Sequence, residues 1–144
     1  MRLLPVWALC LAFSSFPVGA ESSRDLGNVV VHFSTMPSTM VTAEVARAHA
    51  ITRSKNRHLL TVSVLDKGPD GLGRPLAARV AARATNLNGQ LRTIPLREVR
   101  ESGAIYYLGE VRISGEETLD FELEVTPPQG ETQTIRFRRQ LVPE

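Results

Sequence analysis

The sequence predicts an all-β protein, an immunoglobulin-like antiparallel β-sandwich of about seven strands with one short helix between the first two strands. Three observations carry this expectation. Apolar residues alternate at period two along most of the chain, the signature of strands with one buried and one wet face. Turn residues punctuate it at intervals of about ten positions, the spacing of a Greek-key sandwich. The length, 144 residues, suits a single core and excludes a (β/α)₈ barrel, which needs about 250 residues. The cysteine pair and core tryptophan of antibody domains are missing from this pattern, so the topology rests on strand number alone.

The N-terminus reads as an address. Met1-Arg2 is a short basic start, Leu3 to Phe13 is apolar but for Pro5, and Ser14-Ser15-Phe16-Pro17-Val18-Gly19-Ala20 closes the run with small residues. That order is a secretory signal peptide, with Val18 and Ala20 placing the cut before Glu21. Residues 1–20 are then removed and 21–144 form one sandwich domain. A membrane anchor needs about 20 apolar residues, and Ser14, Ser15 and Pro17 end this run early. Cys10 is a poor lipidation site because Leu9, not a small residue, precedes it. No transmembrane segment is expected in the mature chain, which is placed in the periplasm.

Cleavage takes away the single cysteine and the single tryptophan. The mature protein has no disulfide, thiolate nucleophile or thiol ligand, so its core must hold it in an oxidising compartment. The formal charge of the whole chain is only +2, and with few aromatic residues this argues against nucleic acid as a partner.

The elements follow in order. Val29, Val31 and Phe33 mark the first strand. Thr42 before Ala43-Glu44-Val45-Ala46-Arg47-Ala48-His49 is a helix start, the threonine capping free amides and the glutamate favouring the first turn. Leu60, Val62 and Val64 mark the next strand. Leu76 to Thr85 is rich in alanine, a good helix former, yet Arg79 and Arg83 alternate with Val80, Ala82 and Ala84, which predicts a strand. Asn88-Gly89 then predicts a hairpin turn. Its partner, Leu91 to Val99, is predicted as one edge strand because Pro95 cannot donate to a ladder. Ile105, Tyr107, Val111 and Ile113 share the inner face of the following strand.

Leu119, Phe121, Leu123 and Val125 alternate with Asp120, Glu122 and Glu124 in the clearest strand of all. After Pro127-Pro128-Gln129-Gly130, Ile135 and Phe137 alternate with Arg136 and Arg138. A hairpin centred near Gln129 sets Glu122 against Arg136, Asp120 against Arg138 and Phe121 against Phe137. Cross-strand pairs of this kind contribute about 0.2–1 kcal/mol each, and a slip of one residue would expose the whole apolar set.

Three segments carry a resemblance. They are Thr42-Ala43-Glu44-Val45-Ala46 running to Ile51-Thr52-Arg53-Ser54-Lys55-Asn56-Arg57, then Ala84-Thr85-Asn86-Leu87-Asn88-Gly89-Gln90, and Arg97-Glu98-Val99-Arg100-Glu101-Ser102-Gly103-Ala104-Ile105-Tyr106-Tyr107. In these the mature chain resembles a family of small exported proteins of Gram-negative bacteria that is catalogued only as a domain of unknown function. The resemblance implies export and a single domain and brings no assigned activity.

The residues point to binding rather than catalysis. There is no Gly-x-Ser-x-Gly nucleophile string and no phosphate-binding glycine loop, so no enzyme and no cofactor are expected. Arg53-Ser54-Lys55-Asn56-Arg57-His58 is the densest basic run. Arg53, Lys55, Asn56 and Arg57, with the outward Tyr106, are the candidate contacts for an envelope protein or an anionic envelope component through charge-assisted bonds. The reading from another class is a copper or other soft-metal protein. His32, Met36 and Met40 form H-x₃-M-x₃-M, with His49 and His58 further on, and thioether and imidazole ligands suit copper. Asp66-Lys67-Gly68-Pro69-Asp70-Gly71-Leu72-Gly73-Arg74 lacks the ligand ladder of a calcium loop and is read as a connection.

Overall fold

The structure, a computed structural model, describes residues 22–144; the expected signal peptide at residues 1–20 and its cut before Glu21 lie outside the described residues. In chain order the strands are β1 (Ser22–Asp25), β2 (Val29–Pro37), β3 (Arg57–Asp66), β4 (Arg74–Pro75), β5 (Arg79–Asn86), β6 (Leu91–Ile94), β7 (Arg97–Glu101), β8 (Ala104–Arg112), β9 (Glu117–Thr126) and β10 (Gln133–Leu141). A 3-10 turn, Ser38–Met40, and a helix, α1 (Ala43–Ala48), join β2 to β3. One sheet runs β1-β2-β3-β8-β7, with β4 pairing to the end of β3, and the other runs β10-β9-β5-β6. Every pairing is antiparallel.

The fold is the expected sandwich, with ten strands among the described residues instead of about seven. Two of the additions are short. β1 pairs with the outer edge of β2, so the helix follows the second strand, and β4 adds only Arg74 and Pro75 beside Asp66 and Leu65. The third comes from Leu91 to Val99, which was expected to be one strand. It splits into β6 in one sheet and β7 in the other, with Pro95-Leu96 as the crossing. A proline has no N–H for the ladder, so the chain leaves one sheet where it costs least. The crossing chain presses onto β8 at Gly109, where an added Cβ would lie 2.7 Å from the Ile94 and Leu96 side chains.

The core sits between the sheets. Val31, Leu60, Val62 and Val64 of one sheet face Leu119, Leu123 and Val125 of the other, all fully buried, and each such side chain contributes about 1.5–3 kcal/mol by leaving water. Phe137 stacks on Phe121 with centroids 4.9 Å apart and meets Phe33 at 4.4 Å. The expected hairpin register is the observed one: Arg136 opposes Glu122, Phe137 opposes Phe121 and Arg138 opposes Asp120. The alanine-rich segment is strand β5, and its turn to β6 places Gly89 at φ +79°, with the Asn86 carbonyl accepting from the Gly89 amide. Here the positive φ requires glycine.

Candidate functional site

The helix and the loop after it are laid over the outer face of the first sheet. The Thr42 hydroxyl caps α1 by accepting from the Val45 amide at 3.3 Å, as the sequence predicts. Ala46 is the buried residue of the helix, and Leu59, on the outer face of β3, is 2% exposed although it lies outside the main core. The segment is fastened across the sheet: His49 Nε2 lies 3.2 Å from the Glu101 carboxylate at the end of β7, and the Thr52 amide donates to Glu110 of β8 at 3.0 Å.

The basic run 53–58 is built into this end of the sandwich. Arg53 donates to the Thr39 carbonyl at 3.1 Å, and the buried Ser38 hydroxyl donates to the Ser54 carbonyl and accepts from the Ser54 amide, both at 2.9 Å. The Lys55 carbonyl accepts from the Glu144 amide and the Asn56 carbonyl from the Ile113 amide. His58, 5% exposed, holds the Val142 carbonyl at 2.9 Å through Nε2. These bonds occupy the backbone of the run, while the Lys55 and Asn56 side chains are exposed.

Arg57 is different. It is half-buried on the outer face of β3 and donates to Glu110 Oε2 at 2.7 Å. In register it stands directly opposite Arg112 of β8. Like charges so placed destabilise a sheet, and among the described residues Arg112 is exposed and has no carboxylate partner. The two arginines belong to a groove of about 550 Å³ that also takes in Arg92, Arg97, Glu110 and Leu108.

The sheet switch makes this groove. β7 pairs with β8 only as far as Leu108, so the edge of β8 from Gly109 to Arg112 faces the departing chain instead of a ladder partner. Arg92 bridges the gap by donating to the Arg112 carbonyl and to Glu117, both at 2.5 Å. Arg97 donates to the His49 carbonyl, closing the groove from the helix side. Arg92, Arg97, Arg112 and Glu110 are the residues that sequence reasoning missed. Local patterns mark Arg97, Glu110 and Arg112 as outward strand residues, Arg92 shares the inward side of β6 with Ile94, and nothing local says that β3 and β8 are neighbours.

Tyr106 lies on the same outer face as Leu108 and is 37% exposed. Tyr107 points inward and ties the sheets together, accepting from the Ala78 amide at 2.8 Å and donating to Glu98 at 3.3 Å. Burial pushes its hydroxyl up, and the Arg100 bond to Glu98 holds that carboxyl below its usual range.

The soft-metal candidates spread over the same face. His32 and Met36 both point outward from β2, where four residues of strand span about 13 Å. Met40, on the 3-10 turn, is 67% exposed. His49 is held to Glu101 on β7, three strands across from β2. Among the described residues no group of three or more histidine, cysteine, aspartate or glutamate side chains is gathered to hold a metal ion. In the 66–74 connection, Asp66 accepts from the Gly68 amide, while Asp70 accepts from the Leu72 amide and from Arg74. No described helix is long and apolar enough to cross a membrane.

Comparison with known proteins adds a family. The model described as Domain of unknown function (DUF4426) matches residues 23–144. This protein belongs to the DUF4426 family. The chain is similar to a DUF4426 family protein of Pseudomonas aeruginosa PAO1 of known crystal structure, with 31% identity and a TM-score of 0.77 over 90% of this chain and 99% of that one. It is also similar to FetP of uropathogenic Escherichia coli strain F11, recombinantly expressed in the periplasm of E. coli, at 10% identity and a TM-score of 0.63 over 85% and 94% of the two chains. A copper-bound variant of FetP matches at 9% identity and 0.60 over 87% and 97%. At such identity the FetP likeness shows the fold alone. No curated protein matches the chain.

Proposed function

We propose that this DUF4426 protein is an exported, non-catalytic binding or assembly module of the cell envelope, and that it meets an envelope protein or an anionic envelope component through the arginine groove. The observation that carries the reading is the Arg57–Arg112 opposition. A sheet that tolerates two arginines opposite each other, with one carboxylate, Glu110, bonded to Arg57, gives up local stability, and such departures concentrate where a surface has a task. Export is supported by the basic, apolar and small-residue order of the N-terminus and by a family match that starts at residue 23.

The test is capture from envelope extract by immobilised residues 21–144, with identification of what is retained. Arg112→Glu should abolish capture of the specific component, while Arg79→Glu, on the exposed face of the other sheet, should leave it unchanged. Equal capture by all three proteins removes the groove from the function.

The copper-bound FetP variant favours one further reading, in which this chain carries Cu(I) on thioether and imidazole donors drawn from His32, Met36, Met40 and His49. Titration with Cu(I) against a competing chelator should then give tight stoichiometric binding that Met36→Ala weakens. Absence of binding ends this reading.

A further inference from the structure

The chemistry of the groove specifies more than a negative charge, and this inference rests on the binding reading above. Its lining divides into two parts. Arg57, Arg97 and Arg112 stand on the outer face of three adjacent strands, β3, β7 and β8, against the single carboxylate of Glu110. Arg57 uses one guanidinium nitrogen for Glu110 and Arg97 uses one for the His49 carbonyl, so each keeps further N–H donors, and Arg112 keeps all of its own. Arg92 is committed to Glu117 and the Arg112 carbonyl and takes no part. The remaining wall is apolar: Ile94, Pro95, Leu96 and Leu108 line it where the chain crosses between the sheets.

We infer that the groove binds a small amphipathic anion. Its single oxyanion head is held by Arg57 and Arg112, which stand opposite each other in register, and its apolar body runs along β8 toward Leu108, against Leu96 and the Pro95 crossing. Guanidinium forks match the geometry of carboxylate and phosphate oxygens, and two forks side by side outcompete water where one does not. A volume of about 550 Å³ falls within the range of small-molecule sites, which combine an apolar wall with a few placed polar groups. The head supplies the charge that the Arg57–Arg112 pair lacks, and the body covers the apolar surface that the sheet switch leaves open.

The experiment is calorimetric titration of residues 21–144 with octanoate, octyl phosphate, octanol and inorganic phosphate at low salt. Octanoate or octyl phosphate should bind one to one, and the tighter of the two identifies the head. Octanol and inorganic phosphate should each bind at least about tenfold more weakly, since each lacks one half of the ligand. Arg112→Gln should weaken the amphiphile about tenfold, and Leu108→Ser should weaken it while sparing inorganic phosphate. Inorganic phosphate binding as tightly as the amphiphiles overturns the apolar half, and octanol binding as tightly overturns the charged half. Binding by none overturns the inference. Failure here with Arg112-dependent capture from envelope extract intact rejects the ligand class alone, whereas success here with capture unaffected by Arg112→Glu rejects the assembly role alone.

Discussion

Glu122 shows how single residues tie this surface together. Its carboxylate accepts from Arg83 of one neighbouring strand through Oε1 and from Arg136 of the other through Oε2, the latter at 3.0 Å. These hydrogen bonds, Arg83 first, hold its carboxyl below the ordinary value of 4.5, and Arg138 does the same for Asp120. A carboxylate with a lowered folded-state value contributes stability that is present above its unfolded value and lost as pH falls through the folded one. Thermal unfolding followed by circular dichroism should therefore show the midpoint dropping as pH falls below about 4.5. Glu122→Gln should lower the midpoint at neutral pH and flatten its dependence in the acid range. An unchanged acid slope in that variant would mean that the ladder does not act through Glu122.

Among the elements, the β6–β7 segment has most influence on the site. Pro95 ends one pairing, and Gly109 of β8 leaves room for the chain to cross above it. Gly109→Ala places a methyl group 2.7 Å from the Ile94 and Leu96 side chains and 3.1 Å from the Pro95 carbonyl. Overpacking of this kind costs about 1–3 kcal/mol. The urea midpoint of Gly109→Ala should fall accordingly, and groove binding should weaken more than in an equally destabilised variant elsewhere in the core, such as Leu123→Ala. Stability equal to that of the parent protein would show that the crossing is not close.

β10 is one edge of the second sheet, and its charge pattern protects it. Arg136 and Arg138 face solvent, and the half-buried Arg139 turns inward over Phe137, with its guanidinium 5.1 Å from the ring centroid and 2.5 Å from the Ser22 hydroxyl of β1. Charged side chains on an edge, one of them pointing inward, discourage pairing with another sheet.

At the scale of the whole molecule, one core joins all the large strands, and residues 21–144 contain no cysteine. Stability must come from burial and the antiparallel ladders, with Tyr107 reaching from β8 to the Ala78 amide just before β5 of the other sheet. Residues 21–144 should unfold in a single transition that coincides by circular dichroism and tyrosine fluorescence, at the same midpoint with and without a thiol reductant. Two separate transitions would show that the sheets melt independently.

Much of this architecture is written locally. Alternation at period two assigns Leu119, Phe121, Leu123 and Val125 to the core and Asp120 and Glu122 to solvent, because successive strand side chains point to opposite faces. A short turn then sets the β9–β10 register before any distant contact forms. Thr42 announces its helix through the same kind of local hydrogen bonding. The groove is legible in none of these patterns. Arg57 stands out as part of a basic run, but its meaning depends on Arg112, which opposes it only because β3 and β8 are neighbours. That neighbourhood depends on closing long loops and packing two sheets face to face, a collective balance of burial against chain entropy that no short stretch of sequence encodes. Strand identity, inward faces and hairpin register therefore belong to the sequence, while the arginine groove belongs to the packed sandwich.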